Sequence, residues 1–121
     1  MKVLHHPDRD DLHLSSVLYA LSDPIRLFIV SEIKKAGEKS CGDIGVPVVK
    51  STLSHHARTL RECGIVNTRV QGTLRLLSLR EADLEFRFPG LLHAILDAYE
   101  KSEDKITADN LAGHVEKAER Q

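Results

Sequence analysis

Ser51, Thr52, Ser54, His55, Arg58 and Arg61 fall within eleven consecutive residues, and every one of them can donate a hydrogen bond. Leu53, Ala57 and Leu60 recur between them at helical spacing. A helix over this stretch therefore has one apolar face and an opposite face of donors, none of them acidic. Such a surface suits the acceptors on base edges and phosphates. Gly64, free to adopt positive φ, should stop the helix. Val66 to Val70 and Leu74 to Leu79 then alternate, and Gln71-Gly72-Thr73 joins them. That pattern predicts a hairpin with arginines on its arms.

Charge supports this reading only when it is counted by segment. The chain as a whole holds 17 Lys and Arg against 18 Asp and Glu. Residues 50–80 hold Lys50, Arg58, Arg61, Arg69, Arg75 and Arg80 against Glu62 alone, a net of +5. Residues 1–49 carry a net of −1 and residues 81–121 a net of −5. Duplex DNA carries about one negative charge per 1.7 Å of axis, which draws a patch of this sign. Acidic flanks disfavour docking by another face. A solvated charged face is the plain alternative for any charge run, but here the bias coincides with an independent motif.

At 121 residues, with 41% hydrophobic and 29% charged positions, the chain has the size and composition of one soluble domain. No apolar run approaches the roughly 20 residues of a membrane span, and no signal peptide opens the chain. Two cysteines without a leader lead to the expectation of a cytoplasmic protein. Few aromatics and no Trp argue against a stacking platform for single strands. No Gly-rich phosphate loop or nucleophile elbow accompanies the Ser, His and Cys residues, so an enzyme is not expected.

The elements that must position the donors are mostly helical. Residues 1–10 are expected as a flexible arm. A first helix is predicted from Asp11 to Leu21, with Leu12, Val17, Leu18 and Leu21 on one face. Ser22-Asp23-Pro24 breaks the chain, with Asp23 placed to cap and Pro24 to start a second helix reaching Ala36. Gly37 ends it. Ser40 to Ile44 reads as a short third helix capped by Ser40, and Gly45 to Val49 turns into the donor-rich helix. Short helix, turn and polar helix form a helix-turn-helix, whose second helix enters the major groove.

After the hairpin, Arg80 to Leu84 begins another helical stretch that Pro89-Gly90 interrupts. Leu91, Leu92, Ile95, Leu96 and Tyr99 stripe a last helix. Such stripes on the first and last helices exceed what one small core needs. They suggest a twofold partner through Leu12, Val17, Leu91, Leu92, Ile95, Leu96 and Tyr99. The alternative is that both helices fold back onto the same core. The fold class is therefore mainly α with a two-stranded β-wing, a winged helix-turn-helix of order α-α-α-α-β-β-α. Residues 11–102 form the DNA-binding and dimerisation domain, and 103–121 a polar C-terminal tail.

Four motifs in series carry a family resemblance. They are Ala20-Leu-Ser-Asp-Pro-Ile-Arg-Leu27, Ser51-Thr-Leu-Ser-His-His56, Leu60-Arg-Glu-Cys-Gly-Ile-Val66 and the Gly72 wing tip. Over about residues 12–100 the chain resembles the ArsR/SmtB family of winged-helix repressors. The resemblance implies a homodimer joined by its first and last helices, operator occupancy, and release by an inducer whose identity is open. The family's soft-metal site needs two cysteines one residue apart, where this chain has Ser40-Cys41-Gly42; one thiolate does not suffice. The family's zinc site on the last helix is also incomplete, because Asp83 is followed two residues later by Glu85. Likewise His93 has no carboxylate three residues on; with Asp97 it is expected to form only a surface hydrogen bond. Neither a metal nor another cofactor is expected.

Of the seven histidines, only His55 is assigned a DNA contact; His56 is expected to be half-buried packing, and His5, His6, His13 and His114 carry no ligand spacing. Cys41, at a helix start, is expected to have a lowered pKa. With Cys63 it offers a candidate redox pair, against the alternative that both are packing thiols. The roles assigned are base contacts for Ser51, Thr52, Ser54 and His55, phosphate contacts for Lys50, Arg58 and Arg61, and wing contacts for Arg69, Gln71, Thr73 and Arg75. The partners expected are double-stranded DNA and a second copy of the chain. Two alternatives stay open: a thiol- or metal-responsive repressor of the same fold, and a helical interaction module that no longer binds DNA.

Overall fold

The computed structural model describes residues 4–46 and 48–107; His114 and most of the expected tail lie outside them. Five helices run Leu14–Ala20 (α1), Pro24–Ala36 (α2), Lys50–Glu62 (α3), Glu81–Arg87 (α4) and Leu91–Glu100 (α5). Three strands, Glu38–Ser40 (β1), Val66–Gln71 (β2) and Leu74–Leu79 (β3), form one antiparallel sheet in the order β1-β3-β2. This is a winged helix with a third strand added to the wing.

Local chemistry explains where the elements begin and end. The Asp23 carboxylate accepts from the backbone N–H of Ile25 and Arg26 at 2.8 and 3.1 Å, satisfying two orphan donors at the head of α2. α3 closes in a Schellman motif: Ile65 N donates to Leu60 O, and Gly64 N to Arg61 O, at 2.9 and 3.0 Å. The motif needs a left-handed residue, and Gly64 supplies φ +86°. Leu60 and Ile65 are both fully buried, which gives the motif its apolar contact. The chain then passes directly into β2. A two-residue turn at Gly72-Thr73 pairs Gln71 with Leu74 and sets the register Thr68 to Leu77.

The core gathers Val17 and Ala20 of α1, Ile29, Val30 and Ile33 of α2, Leu60 of α3, Ile65 before the wing and Leu77 within it. Leu77 is the inward residue of the middle strand, so the sheet is fixed against α2 rather than projecting freely.

Several expectations need correction. The first helix is shorter than Asp11–Leu21 because Leu12 is extended (φ −74°, ψ 128°) between a 3-10 turn, Arg9–Asp11, and α1. This break drops the Leu12 side chain into the core, where it is 1% exposed. The expected helix at Ser40–Ile44 is a single 3-10 turn, Cys41–Asp43, without a side-chain cap from Ser40. Ser40 instead ends β1, where it pairs with Leu76. Residues 4–10, expected as an arm, lie against the wing: His6 Nε2 accepts from Thr68 N at 2.9 Å, and Arg80 Nη1 donates to Pro7 O at 2.7 Å. Ile106, in the expected tail, is buried and its N–H donates to the Tyr99 hydroxyl at 3.0 Å.

Candidate nucleic-acid interface

α3 presents Lys50, Ser51, Ser54, His55 and Arg58 as exposed side chains, with Thr52 and Arg61 half-buried. The opposite face is anchored by Leu60, fully buried, and by Leu53 and Ala57 packed against the core. The helix is thus held by one stripe and leaves its donors free. On the wing, Arg69, Gln71, Thr73 and Arg75 are exposed.

Helix and wing meet across a cavity of about 770 Å³. Lys50, Ser54, Arg58 and Arg61 line it from α3, and Thr73 and Arg75 from the wing. Ser51, Thr52, His55, Arg69 and Gln71 do not line this cavity. Arg61 Nε is buried and finds no hydrogen-bond partner among the described residues. A basic concavity between a donor-bearing helix and a hairpin is a shape into which an anionic backbone fits.

Two arginines counted as free by sequence are engaged. Arg69 donates to Glu38 Oε1 and to Gln71 Oε1, each at 2.9 Å, which lowers the field it offers to a ligand. Arg80 is 7% exposed and pairs with Asp83 at 3.0 Å, so it belongs to the scaffold rather than the basic surface. Glu38 is a wing neighbour only because β1 joins the sheet.

The expected partner surface also changes. Leu12, Val17 and Tyr99 are buried within the chain itself, at 1, 2 and 4% exposure, and cannot face a second copy. Leu12 lies outside α1, and Val17 covers the protein's own core. Leu91, Leu92, Ile95 and Leu96 are half-buried against that core. Leu14, Leu18 and Tyr19 of α1 stand out instead, at 48, 45 and 60% exposure. Asp97 pairs with Lys101 at 3.1 Å rather than with His93. Among the described residues, no three His, Cys, Asp or Glu side chains gather at one point as metal ligands would.

Cys41 does not have the lowered pKa expected of it. Burial pushes its thiol up, outweighing the Arg75 charge, and a three-residue 3-10 turn supplies little helix field. Burial raises Cys63 as well, against the nearby Arg26. Both thiols are unbridged.

Sequence reasoning missed Arg26. It is 6% exposed and donates through Nη1 to Nδ1 of His56 at 3.1 Å. The signal was available: Arg26 shares the helical stripe of Ile29, Val30 and Ile33, and a charge on an apolar stripe needs buried partners. Burial lowers the pKa of His56, and lowers that of His6 too. In both cases the folded state disfavours the proton, so the unfolded chain binds more protons as pH falls through the ordinary value of about 6.5. Stability is therefore expected to be fully present above about pH 6.5 and to decline below it. Thermal melts across that range check this; a melting temperature that rises on acidification contradicts it.

No protein-family model matches the chain. It is 38% identical over 89 residues to YceK of Bacillus subtilis (strain 168), an uncharacterised HTH-type transcriptional regulator; the match spans 71% of this chain and 89% of that protein. Among the described residues, no single helix is long and apolar enough to cross a membrane. With the winged helix-turn-helix fold and this relative, the chain belongs to the HTH-type transcriptional regulators.

Proposed function

We propose that this protein is a homodimeric repressor that binds an inverted-repeat operator in double-stranded DNA. The observation that carries the reading is the pairing of an exposed donor face on α3 with a basic wing across one cavity. Ser51, Thr52, Ser54 and His55 would meet base edges in the major groove, and Lys50, Arg58 and Arg61 the flanking phosphates. Thr73 and Arg75 at the wing would follow the backbone into the minor groove, with Arg69 and Gln71 beside them. The four motifs that carry the family resemblance support an ArsR/SmtB-type regulator.

Dimerisation is supported by apolar side chains that α1 leaves in solvent. Leu14 and Leu18 lie one turn apart on the same face and are about half exposed. Together with the half-buried Leu91, Leu92 and Ile95 they supply an interface for a second copy, and twofold symmetry matches half-sites about 34 Å apart. Leu14→Glu combined with Leu18→Glu is expected to convert the dimer to a monomer in sedimentation velocity while the melting temperature stays near that of the unchanged protein. A double variant that sediments as a dimer would place the interface elsewhere. For the DNA reading, anisotropy titrations of duplex fragments at several salt concentrations should show affinity falling steeply with salt; salt-independent binding, or none, overturns it.

A further inference from the structure

Arg26 ties three points together. Its Nε donates to Ala20 O at 2.7 Å and its Nη2 to Tyr19 O at 3.3 Å, both at the end of α1. The remaining arm reaches His56 on α3 at 3.1 Å. Both side chains are more than nine-tenths buried, at 6 and 5% exposure. A guanidinium has no acceptor and stays protonated. Nδ1 of His56 therefore holds its lone pair toward Arg26, and the neutral ring carries its proton on Nε2. One buried cation thus joins the α1–α2 corner to the helix that presents the donor face.

We propose that Arg26 and His56 are positioning residues that set the reading helix for DNA, and that proton uptake at His56 Nδ1 releases the helix and weakens DNA binding in mild acid. The proposal rests on the DNA-binding reading above. A proton at Nδ1 occupies the lone pair that Arg26 uses, removes the acceptor and sets two cations in contact away from water. The groups acting on His56 are Asp23, which favours the cation, and Arg26 and His55, which oppose it. Asp23 accepts two backbone N–H groups as the cap of α2. The charged residues on the other elements packed against α3 are Asp43 in the 3-10 turn and Arg69 on β2, and neither figures among the groups shifting His56. Base-edge contacts tolerate displacements of only about 0.5 Å, so a helix freed at one anchor loses its fit.

The test compares the unchanged protein with His56→Asn, whose Oδ1 stands in for Nδ1 as an acceptor but does not titrate. The probe is a fluorescein-labelled duplex recovered by the protein from fragmented genomic DNA. From about pH 7.5 to about pH 5.5 the unchanged protein should lose affinity severalfold, and the variant should not. The loss stays below about tenfold because burial holds the His56 pKa below its ordinary value, so only part of the rings take a proton by then. Identical pH profiles in the two proteins overturn the proposal. If His56→Asn does not fold by circular dichroism, His56→Gln replaces it. Hydrogen exchange of α3 amides in the free protein gives a second readout that needs no DNA. Protection factors, taken against the intrinsic exchange rate at each pH, that fall on acidification only in α3 and the end of α1 support the link. A change spread evenly over the protein, or none, overturns it. Absence of duplex binding at every pH falls on the repressor reading, and the exchange data then decide the positioning role alone.

Discussion

Gly64→Ala is expected to be among the most damaging single substitutions in this protein, costing about 2–5 kcal/mol. Two penalties add. The residue sits at φ +86°, where a side chain costs about 1–2 kcal/mol. A Cβ at this position would lie 2.1 Å from Leu12 Cδ2. Leu12 is 1% exposed, so its side chain can move aside only by displacing packed neighbours, and overpacking of this kind costs about 1–3 kcal/mol. The melting temperature should fall by roughly 10 °C or more. A fall within about 2 °C would show that the Leu12 side chain yields readily. The position also bears on function, because Gly64 sets the angle between the reading helix and the wing.

The second large effect concerns DNA. Arg58→Ala combined with Arg75→Ala should weaken duplex binding by roughly 100-fold at low salt, about tenfold for each arginine–phosphate pair removed. The slope of log affinity against log salt should flatten by about 1.8, or 0.9 for each pair. The two arginines line the same cavity from α3 and from the wing, so their removal takes the wing's cation and one of the three on α3, leaving Lys50 and Arg61. Arg69→Ala should do less, since Glu38 already holds that guanidinium at 2.9 Å. The ordering separates docking in the cavity from general basicity, which predicts equal effects for all three. His55→Ala, by contrast, should relax sequence preference with little change in salt slope.

How far the sequence revealed this molecule depends on the kind of signal. α2 was legible from end to end because Asp23, Pro24 and Gly37 each carry a boundary in their own chemistry. The donor helix and hairpin were legible because apolar spacing at period 3.6 switches to period 2 at Gly64. β1 was not, since Glu38-Lys39-Ser40 has no apolar alternation and becomes a strand only through its partners on β3. Periodicity placed Val17 and Leu18 on one face of the first helix, but it cannot say whether a face meets its own core or another molecule; Val17 turned inward and Leu18 outward. The stripe therefore named several wrong residues for an outward surface. Arg26 and His56 escaped for a related reason: each was visible on its own helix, but only the fold brings them within 3.1 Å.

The decisive experiment is selection of duplex fragments from genomic DNA by the purified protein, followed by sequencing. An inverted repeat with half-sites about one helical turn apart should be enriched, as expected of a symmetric reader with one recognition helix in each half-site. Recovery of no common sequence, together with affinity that does not change with salt, would overturn the repressor reading and leave α3 as a helix that binds something other than DNA.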